Sequence, residues 1–149
     1  MFQYQMMGWY WLISKADVVT MYIPFSDIDS SLALNAHMYI CIQSGNDKEF
    51  IKCQTFKPTH ILPNYPPKQY LIEEQDENRN PFNRRTTIDC DRSFCVCYVI
   101  IDKKLLAERN VCHELFDAII EKIKHSDFFK ENLDPISLCT LNYFIYPNK

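Results

Sequence analysis

Six side chains stand out among those whose types handle protons and phosphates: His37, Lys52, Thr55, Lys57, Arg84 and Arg85. An imidazole with an ordinary pKa changes charge near neutrality, so His37 can take or give a proton. A threonine hydroxyl donates one hydrogen bond, ammonium groups supply point charge, and guanidinium groups pair with phosphate oxygens. Lys52 and Thr55 belong to "FIKCQTFKPTH", residues 50–60, where Phe50, Lys52 and Gln54 alternate with Ile51, Cys53 and Thr55 before a proline-broken loop. Arg84 and Arg85 end "RNPFNRR", where Arg79 and the pair flank Phe82, an aromatic able to stack on a base. The acidic "EEQDEN" before it leaves that segment nearly neutral, so a solvated loop is its better reading.

Other candidates carry less. Cys95 and Cys97 share one strand face and Cys90 is close by, but the chain has no C-x2-C pair and no second ligand pair at zinc-finger spacing. The seven cysteines read as reduced, mostly buried small residues, and a catalytic thiolate has no local activator. His113 and His125 read as structural or solvated. His37 and His60 lie at strand or loop edges, where functional groups often sit, although the bland reading is ahead for each.

The elements that must position these residues follow from pattern. "DVVTMYIPF" has strand composition up to Pro24, as does "WYWLIS" before it. "SDIDSSLALNA" reads as a loop. "HMYICIQ" and "KEFIKCQT", joined by "SGND", predict a hairpin from His37 to Thr55. Residues 57–85 form a long excursion with four prolines at its start and a short strand at "QYLIEE". "TTIDC" and "FCVCYVII" return to strand composition. Beyond Asp102 the period changes: Val111, Leu115, Ile119 and Ile123 recur every four residues, which predicts an amphipathic helix ending near Lys124 and His125. "SDFFKEN" suggests a helical turn. A last helix starts at Pro135 with Asp134 as its cap, burying Leu138, Leu141, Tyr143 and Ile145. Strands first and helices last is an α+β order. The expected organisation is a single domain over 1–149, with a barrel at roughly 9–101 and a helical part at 102–146.

With 149 residues the chain can bury a real core, and 47% apolar residues exclude a disordered polypeptide. Two glycines leave no phosphate loop of the Walker or dinucleotide type. A formal charge of -3 argues against a whole-surface grip on nucleic acid while allowing a local basic patch. "MMGWYWLIS" is too short and too aromatic for a membrane span or a leader, so a cytoplasmic protein is expected.

The element order, with "ADVV" at 16–19, "PF" at 24–25, a strand ending in Thr55 and "CDR" at 90–92, resembles the MazF/PemK family of toxin endoribonucleases over roughly residues 14–125. The resemblance implies a small SH3-like antiparallel β-barrel with C-terminal helices, usually a homodimer. It further implies metal- and cofactor-free cleavage of single-stranded RNA, restrained by an antitoxin. Cutting RNA without metal needs a base for the 2′-hydroxyl, an acid for the leaving 5′-oxygen, and donors for the phosphorane oxygens. His37 and Thr55 fit the catalytic roles. Lys52, Lys57, Arg84 and Arg85 fit substrate binding. Two departures stand out. Ala16 replaces the family glycine, and Asn35, Ala36 and His37 stand where the family carries an arginine before an apolar strand. A second expectation therefore runs beside the first: a barrel that has lost catalysis and binds a protein through residues 57–85, as a phage-type inhibitor or antidefence protein would.

Overall fold

A computed structural model describes residues 12–24 and 35–148. Strand β1 is Val18–Met21, β2 is His37–Gln43 and β3 is Asp47–Thr55. They pair antiparallel in sequence order, and the β2–β3 connection is the expected tight turn, with Gly45 at φ +101°. That backbone conformation favours glycine, since it costs a Cβ-bearing residue about 1–2 kcal/mol. Residues 26–34 of "SDIDSSLALNA" and residues 9–11 of "WYWLIS" lie outside the described residues. Leu12, Ile13 and Ser14 are not in a strand.

β3 is the spine of the sheet. Its first half pairs with β6 (Arg92–Cys97) and its last residues with β5 (Thr86–Asp89), which in turn pairs with β4 (Tyr70–Glu73). A short separate pair joins β7 (Val99–Ile101) to β9 (Ile145–Pro147). Helix α1 is His113–Lys122 and α2 is Pro135–Leu141. The α+β order and the mostly antiparallel pairing hold. The closed barrel does not appear among the described residues: β1 and β4 end the strand path and do not pair with each other.

Strand alternation divides the core in two. Val18, Ile40, Ile51, Cys53 and Ile88 point to one side, where Val111, Leu115 and Ile119 cover them from α1 and its approach. Val19, Tyr39, Cys41, Phe50 and Phe94 point to the other, under Leu138 of α2 and the β7–β9 pair. Each fully buried Leu, Ile or Phe contributes about 1.5–3 kcal/mol, so the period-four stripe of α1 fixes that helix to the sheet. Among the cysteines, Cys41, Cys53 and Cys90 are buried, the other four are partly buried, and all seven are free.

The 102–146 segment is less helical than its sequence suggests. "SDFFKEN" supplies a strand, β8 (Phe129–Asn132), parallel to β6 and tied to it by an Arg92–Glu131 ion pair at 3.0 Å. α2 begins as expected, with the Asp134 carboxylate accepting the Ser137 N–H at 3.0 Å. It stops at Leu141 because Asn142 turns extended and clamps Tyr22, its amide bonding the Tyr22 N–H and carbonyl at 2.8 Å each. Tyr143 is consequently 85% exposed and Leu141 38%, against the expectation of burial, while Leu138 and Ile145 are buried as expected.

Tyr39 offers a sharp stability test. Its ring is fully buried, edge-on to Phe94 at 5.8 Å, and its hydroxyl has no hydrogen-bond partner among the described residues. A buried hydroxyl without a partner costs about 1–3 kcal/mol. Tyr39→Phe is therefore expected to raise the urea midpoint. A midpoint that falls by more than the error of the measurement contradicts this.

Candidate functional site

The β2–β3 hairpin brings two of the sequence candidates to one end of the sheet. β2 begins at His37 and β3 finishes at Thr55, so antiparallel pairing makes them neighbours. A cleft of about 220 Å³ opens there, lined by Ala36, His37, Met38, Cys53, Gln54, Thr55, Phe82, Asn83, Arg84 and Thr86. His37, Thr55 and Arg84 thus meet, although they come from three separate segments.

They do not meet on one face. The register pairs Met38 with Cys53, so Met38, Cys53 and Thr55 point toward α1, and His37 and Gln54 point the other way. The cleft therefore wraps over the end of the hairpin. At this end of the sheet the His37 side carries polar groups beside the apolar core: Lys52 pairs with Tyr39, and Gln54 with Thr87. Lys52 is only 8% exposed. Burial lowers the His37 pKa below its ordinary value, and the Lys52 and Lys57 ammonium groups lower it further. Lys52 is itself pushed down, first by burial and next by Arg92, with Asp89 opposing. A neutral imidazole beside the Lys52 ammonium, which loses its proton more readily than usual, is a base set against an acid.

The loop that delivers Arg84 is anchored. Phe82 is 2% exposed and joins the core cluster under α1, which removes it as a stacking surface for a base. Fully buried Asn80 holds the turn: its amide donates to Glu73 at 2.8 Å and its oxygen accepts the Phe82 N–H at 3.0 Å. Arg79 is occupied between Glu73 and Glu114. The charged stretch that reads as a solvated loop is thus built into the fold. Arg85, 5.4 Å from the Phe56 ring, ion-pairs with Glu74 and is not among the cleft residues.

Sequence reasoning underrated one group. Pro58–Ile61 forms a 3-10 turn, and His60 within it is 6% exposed. Its Nδ1 accepts the Lys57 backbone N–H at 3.1 Å and lies 2.7 Å from the Thr87 hydroxyl. The signal was present in "KPTH": proline at a first helical position, with a side chain three residues after the cap able to reach back.

Among the described residues no His, Cys, Asp or Glu cluster of three is grouped to hold a metal ion. No helix among them is long and apolar enough to cross a membrane. A scan of protein-family models finds no match to this chain, and neither does a search of the curated proteins.

Proposed function

We propose that the protein is a MazF/PemK-like endoribonuclease that cleaves single-stranded RNA without a metal. The observation that carries the reading is the cleft at the hairpin end, where a histidine of lowered pKa adjoins Lys52 and shares a lining with Thr55 and Arg84. His37 takes the 2′-hydroxyl proton as the 2′-oxygen bonds to phosphorus. The phosphorus–5′-oxygen bond breaks, and the Lys52 ammonium gives its proton to the departing oxygen. The products are a 2′,3′-cyclic phosphate and a 5′-hydroxyl. Lys57 supplies charge near His37. Thr55 and Arg84, round the strand end, hold the neighbouring phosphate. In this reading His37 and Lys52 take over the work of the arginine that the family carries and this chain lacks.

The backbone lends support at Ala16. Its φ is +77°, a conformation glycine adopts freely, at the position where the family carries glycine.

The test is incubation of the purified protein with a long unstructured RNA in excess chelator. Cleavage is expected to leave cyclic-phosphate and 5′-hydroxyl ends. Arg84→Ala is expected to raise KM with a smaller change in kcat, because it binds a phosphate that does not react. Intact RNA at every protein concentration would overturn the reading.

A second reading has one observation in its favour. Ile61, Leu62 and Tyr65 are each about half exposed within five residues of the excursion, an apolar run that suits a protein partner. Intact RNA together with a complex lost on Ile61→Asp would favour a binding module without catalysis.

A further inference from the structure

Lys52 carries its charge where charge is costly. It is only 8% exposed, and a buried ammonium needs an opposite charge close by. Strand register supplies one. β3 and β5 pair Cys53 with Ile88 and Gln54 with Thr87, so one step further along the same two strands Lys52 comes opposite Asp89. Ile88 joins the core under α1, and alternation turns Asp89 to the other face, which Lys52 shares with Tyr39 and His37 of β2. Side chains directly opposite on one face stand about 4.5–5.5 Å apart at Cβ. β6 reaches the same point from the other direction. It pairs with β3 at Phe50 and Phe94, and two steps on it brings Arg92 opposite Lys52, again on that face. Lys52 therefore lies where β5 gives way to β6, with a carboxylate at the end of one strand and a guanidinium at the start of the next.

The two neighbours are held differently. The Arg92 guanidinium ion-pairs with Glu131 at 3.0 Å and lies over the Phe94 ring, 4.9 Å from its centroid. Asp89 is fixed by the turn that follows it, where its carboxylate accepts the Asp91 N–H at 2.9 Å. Arg92 and Lys57 disfavour the Lys52 ammonium, and the Asp89 carboxylate favours it. Burial drives both partners toward neutrality, Asp89 upward and Lys52 downward, and the charge of each opposes that trend in the other.

We propose that Asp89 is a positioning residue that holds Lys52 in its ammonium form at the junction of β5 and β6, so that the acid carries a proton when the 5′-oxygen departs. The pairing stands on strand register, and its service to catalysis rests on the nuclease reading. Asp89 acts through Lys52 and moves no proton itself.

Nitrogen-15 NMR of the whole protein, labelled at lysine, reads the Lys52 ammonium whether or not RNA is cut, and Lys52→Arg assigns its resonance. Asp89→Asn removes the charge and keeps an acceptor for the Asp91 N–H; Asp89→Ser is a second uncharged variant. Both are expected to lower the Lys52 titration midpoint, because loss of a nearby negative charge favours the neutral amine. Asp89→Glu is expected to restore most of it, and Arg92→Gln to move it the opposite way. In cleavage, the basic limb of kcat/KM should shift to lower pH in Asp89→Asn. Rates above that limb should fall about tenfold for each pH unit it moves, and rates below it should stay near wild type. A residue that only supported the fold would lower the rate equally at every pH. A midpoint that stays or rises in the uncharged variants overturns the proposal, even where RNA is cut. A lowered midpoint with an unmoved limb overturns the part of Asp89 in catalysis and removes Lys52 as the acid. A lowered midpoint in a protein whose wild type leaves RNA intact supports the pairing and sinks the nuclease.

Discussion

On the proposed nuclease reading, replacing His37 by alanine is expected to cut RNA cleavage about 10²–10⁴-fold, the range for loss of a positioned general base. The wild-type pH profile carries a sharper signature. A base works in its neutral form, and the His37 pKa is lowered from 6.5 by burial first and by Lys52 and Lys57 next. The acid limb of kcat/KM, which reports the free enzyme, should therefore inflect below pH 6.5. Lys57 is exposed, so Lys57→Met removes charge at little cost to the fold. That substitution should move the inflection upward, toward the ordinary histidine value, without abolishing it, because burial is the larger cause. An inflection above pH 6.5 in the wild type, or one that moves down in Lys57→Met, would exclude His37 as the base. Stability follows the same sign. The unfolded chain takes up this proton first as pH falls, so the His37 contribution is lost between pH 6.5 and the lowered folded value.

The second large effect lies in the core. Phe82→Ala should cost about 3–5 kcal/mol in urea unfolding, the range for a buried aromatic truncated to alanine. The ring is 2% exposed and packs in the cluster that holds Val111, Leu115 and Ile119. A cost under about 1 kcal/mol would mean that the surrounding loop collapses freely into the space. On the same proposed reading, folded Phe82→Ala protein should also bind RNA more weakly, since Phe82 sits two residues before Arg84 and fixes the loop that carries it to the cleft.

Local pattern made much of the fold legible. The hairpin was readable because glycine in "SGND" sits between two runs of strand composition, and both helices because caps and periods are local. The short strand at "QYLIEE" was readable too. β8 was not. Phe129–Asn132 has little strand character of its own and is extended because β6, more than thirty residues earlier, offers it an edge. Tyr143 failed for the opposite reason: a helical period was carried one turn past the point where Asn142 ends the helix.

The site was half legible. Residue type singled out His37, Thr55 and Arg84, and the structure brings them to one cleft. Which face each occupies depends on a register that pairs Met38 with Cys53, and no spacing within either strand reveals it. A shift of one residue would have put His37 and Thr55 side by side. Tyr39 and Thr87 looked like ordinary strand residues, since their roles arise only from what faces them across the sheet.

The central position of β3 also has a consequence for the chain as it is made. One edge of β3 is satisfied by β2, its immediate predecessor. Among the described residues, the other edge is satisfied only by residues 86–97. On the ribosome, a finished hairpin carrying Phe50, Ile51 and Cys53 therefore emerges with an open, apolar edge while some thirty further residues are added. Such an edge invites pairing with other chains. Lys48, Glu49 and Lys52 are spaced along this strand and end up almost fully buried in the mature fold. In the nascent chain the same charges discourage an intruding strand until β5 and β6 arrive.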